Sequence, residues 1–219
     1  MYEVRLWLEK TGRLKFVSHL DMFRLMQRAV RRAGIPLWYT EGFNPHPYIS
    51  FLLALSLGVE GKREPVDIRI VGDMELSEIK DRLNSVFPEG LRVKEAALPF
   101  NKPGEIKFAE YEAVISKNDI SAEELKNAID CGGLVTQKSG KSGGKKVMKT
   151  VNVSEHIKRY SLNEDENNIY LSVILPAGST FNLNPLQLID AVCRYTGKSF
   201  TPDRAVRNRM LLEDLSEFR

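Results

Sequence analysis

The chain has 219 residues, 42% of them hydrophobic, with 32 basic and 29 acidic side chains and a formal net charge of +3. That is enough apolar material for one large core or two small ones, which excludes overall disorder, and too mild a charge to imply nucleic acid by itself. No run of about eighteen apolar residues exists, Met1-Tyr2-Glu3-Val4-Arg5 has no signal-peptide core, and Cys131 and Cys193 form no CxxC pair, so the expectation is a soluble, cytoplasmic protein with no membrane contact.

Tyr2 to Glu9 alternates Val4, Leu6 and Leu8 against Glu3, Arg5 and Glu9, the period of a half-buried strand, with Trp7 interrupting the polar face. Ser18 then precedes Asp21 by three residues, a capping start for a helix carrying Met22, Leu25, Met26, Ala29, Val30 and Ala33, which Gly34 and Pro36 stop. Leu37 to Thr40 reads as a short strand, Glu41 to Pro47 as a loop, and Tyr48 to Leu57 as an apolar strand or strand pair. Pro65 to Val71 is a further strand, Ser77 caps a second helix that Pro88 and Gly90 end, and Leu91 to Ala97 returns as a strand. The order is β-α-β-β-α-β, the split arrangement of a ferredoxin-like unit.

Pro99 to Gly104 is the linker candidate, and a similar pattern follows it. Phe108 to Ile115 is a strand, Ser121 starts a helix to Asp130, and Val147 to Val153 and Ile169 to Leu175 are strands. Asn184 and Pro185 open a helix that Gly197 ends, and Ala205 to Leu212 closes the set. The fold expected is therefore α+β, two ferredoxin-like modules in tandem over residues 1–99 and 105–219.

The basic residues are unevenly placed. At 100° per residue, Arg24, Arg28, Arg31 and Arg32 fall on one stripe opposite the apolar face of the first helix, a spacing at which guanidinium groups follow phosphates. The alternative is a solvated helix face. Lys138, Lys141, Lys145 and Lys146 stand in a Gly/Ser/Lys segment without an acid; its Gly-Lys-Ser triplet is no phosphate loop, because Val135 occupies the place of the first glycine. We read it as a lysine-rich hairpin tip, either solvated or reaching toward phosphates.

The loop residues Tyr39, Glu41, Gly42, Phe43, Asn44 and His46 combine backbone constraint from two flanking prolines with rings able to stack on bases. Otherwise Phe43 plugs the core and the loop is a rigid corner. The histidines are His19, His46 and His156; a return of Leu37 to Thr40 antiparallel to the helix would bring His19 and His46 to one rim. No HExxH, GxSxG, GxGxxG or H-x-E with CxxC signature is present, so neither a catalytic site, a metal site nor a cofactor is expected of this chain.

Arg13 to Asp21, with Ser18 and His19, Arg32-Ala33-Gly34-Ile35-Pro36 and Glu41-Gly42-Phe43-Asn44-Pro45-His46-Pro47 together resemble the radical SAM-linked protein family of bacteria. The resemblance implies a partner, a radical S-adenosylmethionine enzyme encoded beside or fused to such chains, and in many genomes a place near ribosomal-protein and ribonuclease genes. The function it points to is an accessory protein presenting an RNA or ribosomal substrate for modification. The basic helix with Gly-Phe-Asn-Pro is also similar to CRISPR repeat-associated proteins with tandem ferredoxin-like folds. This chain lacks their C-terminal glycine-rich RNA clamp, which counts against cleavage and leaves RNA binding open; metal-independent RNA cleavage stands as an alternative, alongside a purely structural partner of the radical enzyme.

Overall fold

β1 (Tyr2–Lys10) is buried on both faces, and that explains Trp7. One face sends Val4, Leu6 and Leu8 into a core shared with α1 (His19–Arg32) and α2 (Leu76–Val86). On the other face Trp7 packs with Ile106, Met210 and Phe218. The chain is mixed α+β, and the computed structural model describes residues 1–142 and 145–219, with the side chains of 139–147 outside that description.

Two compact units divide it, Met1–Lys107 with Arg207–Arg219, and Phe108–Val206. In the first, the order is β1, α1, β2 (Ile49–Phe51), β3 (Glu60–Ile70), α2 and β4 (Leu91–Ala97). The sheet places β4 beside β1, β1 beside β3 and β2 on the far side of β3, every pair antiparallel. The expected strand over Leu37 to Thr40 is reduced to single bridges, Leu37 to Ile70 and Tyr39 to Pro47. The expected Tyr48 to Leu57 strand shrinks to β2 because Pro65 accepts from Leu52 N (3.3 Å) and has no N–H to return, so the ladder stops. The second helix starts after Glu75 rather than at Ser77.

Residues 207–219, expected in the second module, return to the first. Arg5 holds them. Its Nε and Nη2 donate to the Asp67 carboxylate (2.8 and 2.9 Å), and its Nη1 donates to main-chain oxygens of Asn101 (2.9 Å) and Arg219 (2.8 Å). The Asn101 side-chain oxygen accepts from Arg219 N (2.8 Å), so the expected linker is a tied turn, and the boundary falls after Lys107.

In the second unit, β5 (Phe108–Ser116) pairs β9 (Asn168–Pro176), which pairs β8 (Arg159–Glu164), all antiparallel. Between α3 (Ala122–Asp130) and β8 stands a separate hairpin, β6 (Val135–Ser142) with β7 (Lys145–Asn152). Ser121 and Glu124 form a capping box on α3, and Asn184 and Gln187 form another on α4 (Pro185–Thr196), which ends at left-handed Gly197. The Glu124 carboxyl is held down to about 2, first by the Lys198 ammonium and then by the Ser121 N–H. β10 (Arg204–Leu211) carries residues of both units.

Candidate nucleic-acid interface

α1 is built for two faces. Ser18 caps it by accepting from Asp21 N (3.2 Å) while its hydroxyl donates to the Asp21 carboxylate (2.7 Å), which with Arg24 (3.1 Å) lowers the Asp21 pKa. Met22, Met26, Ala29 and Val30 are buried, and Arg24, Arg28, Arg31 and Arg32 are exposed on the opposite side. Arg24 is neutralised by Asp21, whereas Arg28, Arg31 and Arg32 have no ion pair among the described residues. Ser18→Ala removes the cap and should lower stability by about 1 kcal/mol in urea unfolding; an unchanged midpoint would mean that the cap is idle.

The loop after α1 is the tip of a small hairpin. Tyr48 N donates to Trp38 O (2.9 Å), Thr40 N to His46 O (2.9 Å), and His46 N to the Thr40 hydroxyl (3.2 Å). The Arg69 guanidinium, paired with Glu3 (2.6 Å), lies over both the Trp38 ring (4.8 Å) and the Tyr48 ring (4.4 Å), bracing the base. At the tip, Gly42 takes a positive φ of 123° and Phe43 is fully exposed, so Phe43 is no core plug. Glu41, Asn44 and His46 are exposed and Tyr39 is partly so. His46 Nδ1 lies 3.1 Å from the Thr40 hydroxyl and 3.2 Å from the carbonyl oxygen of Asn44, which fixes the ring at the hairpin tip.

His19 sits elsewhere. Its ring meets Phe51 edge-on (5.3 Å between centroids) at the wall of a pocket lined also by Leu8, Lys10, Met22, Leu53, Leu55, Glu64 and Pro65. No residue of Glu41 to Pro47 lines that pocket, and the two histidines keep separate partners. Lys10 Nζ donates to Val17 O (3.0 Å), and burial lowers its pKa, with Glu64 opposing and Arg207 reinforcing the shift. Arg207 donates to both Glu64 oxygens, with Nε at 2.9 Å, and to Leu53 O (3.0 Å). Gly61 gives the Glu64 side chain its room, since a Cβ there would lie 2.4 Å from Glu64 Cγ.

Sequence reasoning missed Lys10, Glu64 and Arg207. A signal existed for two of them: Lys10 continues the inward positions Val4, Leu6 and Leu8, and Glu64 continues Val66, Ile68 and Ile70.

In the second unit, Lys138 is engaged rather than reaching outward. Its ammonium donates to the Asn182 side-chain oxygen (3.0 Å), lies over the Phe181 ring (4.9 Å), and has its pKa lowered by burial. The side chains of Lys141, Lys145 and Lys146 lie outside the described residues. Among the described residues, no group of three or more His, Cys, Asp or Glu gathers to hold a metal, and no helix is long and apolar enough to cross a membrane.

The fold is similar to that of chains in RNA–protein particles. Over 94% of its length this chain resembles one in the Cbf5-Nop10-Gar1 complex, with TM-score 0.53, 12% identity and 48% of that chain covered. It likewise resembles one in an H/ACA RNP bound to a substrate RNA containing 2′-deoxyuridine, with TM-score 0.53, 11% identity, and coverage of 95% and 47%. An archaeal box H/ACA sRNP Nop10-Cbf5 complex gives TM-score 0.50, 12% identity, and coverage of 95% and 48%. At such identity the likeness is one of fold, and this chain spans about half the length of those chains. No functionally curated protein matches the sequence. The chain belongs to the family described as "Uncharacterized protein conserved in bacteria (DUF2344)", whose sequence model matches residues 3–185.

Proposed function

We propose that this protein binds single-stranded RNA through its first unit and holds it for modification by a radical S-adenosylmethionine enzyme. The observation that carries the RNA reading is the row Arg28, Arg31 and Arg32, exposed on one helix face with no ion pair among the described residues. Guanidinium groups so placed attract phosphates, and their planar fork suits phosphate oxygens. The bare Phe43 ring on a braced hairpin supplies a stacking platform. The fold likeness to proteins of H/ACA particles, one of them bound to RNA, agrees with this. The strand order β4-β1-β3-β2 supports a ferredoxin-like first unit, with the second a related unit carrying an inserted hairpin. The radical enzyme as partner rests on the resemblance of residues 13–21, 32–36 and 41–47 to the radical SAM-linked family.

Filter binding against total cellular RNA, with and without the radical enzyme, tests both halves. Saturable, salt-sensitive retention is expected, and it should rise when the enzyme is added; no retention in either case would end the RNA reading. Phe43→Ala should weaken binding by about 1–3 kcal/mol, roughly 5- to 150-fold, with an unchanged melting temperature because the ring is fully exposed. Equal affinity of the variant would remove Phe43 from the interface.

RNA cleavage has one observation in its favour, the placing of His19 with Lys10 and Glu64 in one pocket. We expect the isolated protein not to cut RNA. Chelator-resistant cutting abolished by His19→Ala would reverse that order.

A further inference from the structure

We infer that the groove between α1 and the end of α2 seats one nucleotide of the bound strand, its phosphate on Arg28 and Arg32 and its base against Phe87 and Pro88. The inference rests on the RNA reading and adds where, and which part of the RNA, is held. The groove measures about 440 Å³ and is lined by Leu25, Arg28, Ala29 and Arg32 from α1, and by Ser85, Val86, Phe87 and Pro88 from α2 and the turn after it. That volume falls within the roughly 300–1,000 Å³ of sites that enclose small ligands.

Its chemistry has two ends. Arg28 and Arg32 are one helical turn apart, and like charges at that spacing repel unless an anion bridges them. Among the described residues, no acidic side chain lines the groove to do so. Between the guanidinium groups and the opposite wall, Leu25, Ala29, Val86 and Phe87 form an apolar floor. The turn that carries Phe87 and Pro88 is braced by the Asn84 side chain, which bonds the Val93 main chain (2.8 and 3.0 Å). A ligand with an anion at one end and a flat apolar body matches both parts. A phosphate alone would leave the floor unused. A nucleotide fills both.

Methyl NMR titration of the full chain tests this with hexa-adenylate RNA, AMP, inorganic phosphate and a phosphoserine peptide. Hexa-adenylate should move the Leu25, Ala29 and Val86 methyl signals saturably and bind about tenfold or more tightly than the other three, since several residues of one strand contribute together. Ser85→Trp, at an exposed position, fills the groove without removing a guanidinium and should weaken hexa-adenylate by about tenfold. Arg28→Gln with Arg32→Gln should do the same. Hexa-adenylate binding that leaves those methyls unmoved, or that Ser85→Trp does not affect, would discard the groove while the RNA reading stands. AMP, phosphate or phosphopeptide binding as tightly as hexa-adenylate would overturn the assignment to an RNA strand. Absence of hexa-adenylate binding, with total cellular RNA also failing to bind, would remove the groove and the RNA reading together.

Discussion

Arg28→Glu with Arg31→Glu should lower RNA affinity roughly 10- to 100-fold at low salt and flatten its salt dependence. Each phosphate contact on a single strand contributes about 0.7 to the slope of log affinity against log salt, so losing two reduces it by about 1.4. The fold should persist. Both side chains are exposed, and the helix forfeits only the help that Arg31 gives its C-terminal dipole, about 0.3–1 kcal/mol. Arg24→Glu should have a smaller effect on RNA, because Asp21 already neutralises Arg24. Anisotropy at a series of salt concentrations, with thermal melts on the same samples, reads all of this. A folded double variant with the parent's affinity and slope would show that the arginine row faces no phosphate.

Arg207→Met should destabilise the protein by about 3–5 kcal/mol, the usual penalty for leaving one member of a buried ion pair alone. Arg207 and Glu64 are almost wholly buried, with side chains 3% and 9% exposed. Without Arg207 the Glu64 carboxylate keeps Lys10 as a cationic neighbour, and the Leu53 carbonyl loses its donor. Removing both charges with Glu64→Met and Arg207→Met should recover part of the loss, because the pair goes together and only the buried Lys10 is left without the Glu64 carboxylate. Urea unfolding measures each variant. A loss below about 1 kcal/mol for Arg207→Met would mean that water reaches the pair.

Local chemistry was readable from the sequence where neighbours in the chain act on each other. Ser18 before Asp21, Ser121 before Glu124, and Asn184-Pro185 with Gly197 each marks a helix end through bonds spanning only a few residues. The arginine stripe was readable for the same reason, since helical period alone orders its members. The buried pairs were not. Asp67 meets Arg5 across 62 positions and Arg207 meets Glu64 across 143, and nothing in a polar alternation says that its partner strand brings the opposite charge. β8 escaped notice as well, because only Tyr160 and Leu162 are even half-buried along it. Phe43 shows the opposite difficulty: an aromatic residue between polar neighbours fits a core plug as well as a bare tip, and only the hairpin's three-dimensional course decides.

The Arg5 clamp also sets an order of events for the growing chain. β1 emerges ahead of its partners, for two of the groups that satisfy its buried guanidinium are Asp67 and the main chain at Arg219, the latter 214 residues later. Until residues 207–219 have left the ribosome, Arg5 has only part of its shell and the Trp7 face lacks Met210 and Phe218. The second unit, continuous from Phe108 to Val206, is synthesised before then. Vectorial synthesis would therefore leave β1 waiting on residues 207–219, which follow the whole of the second unit.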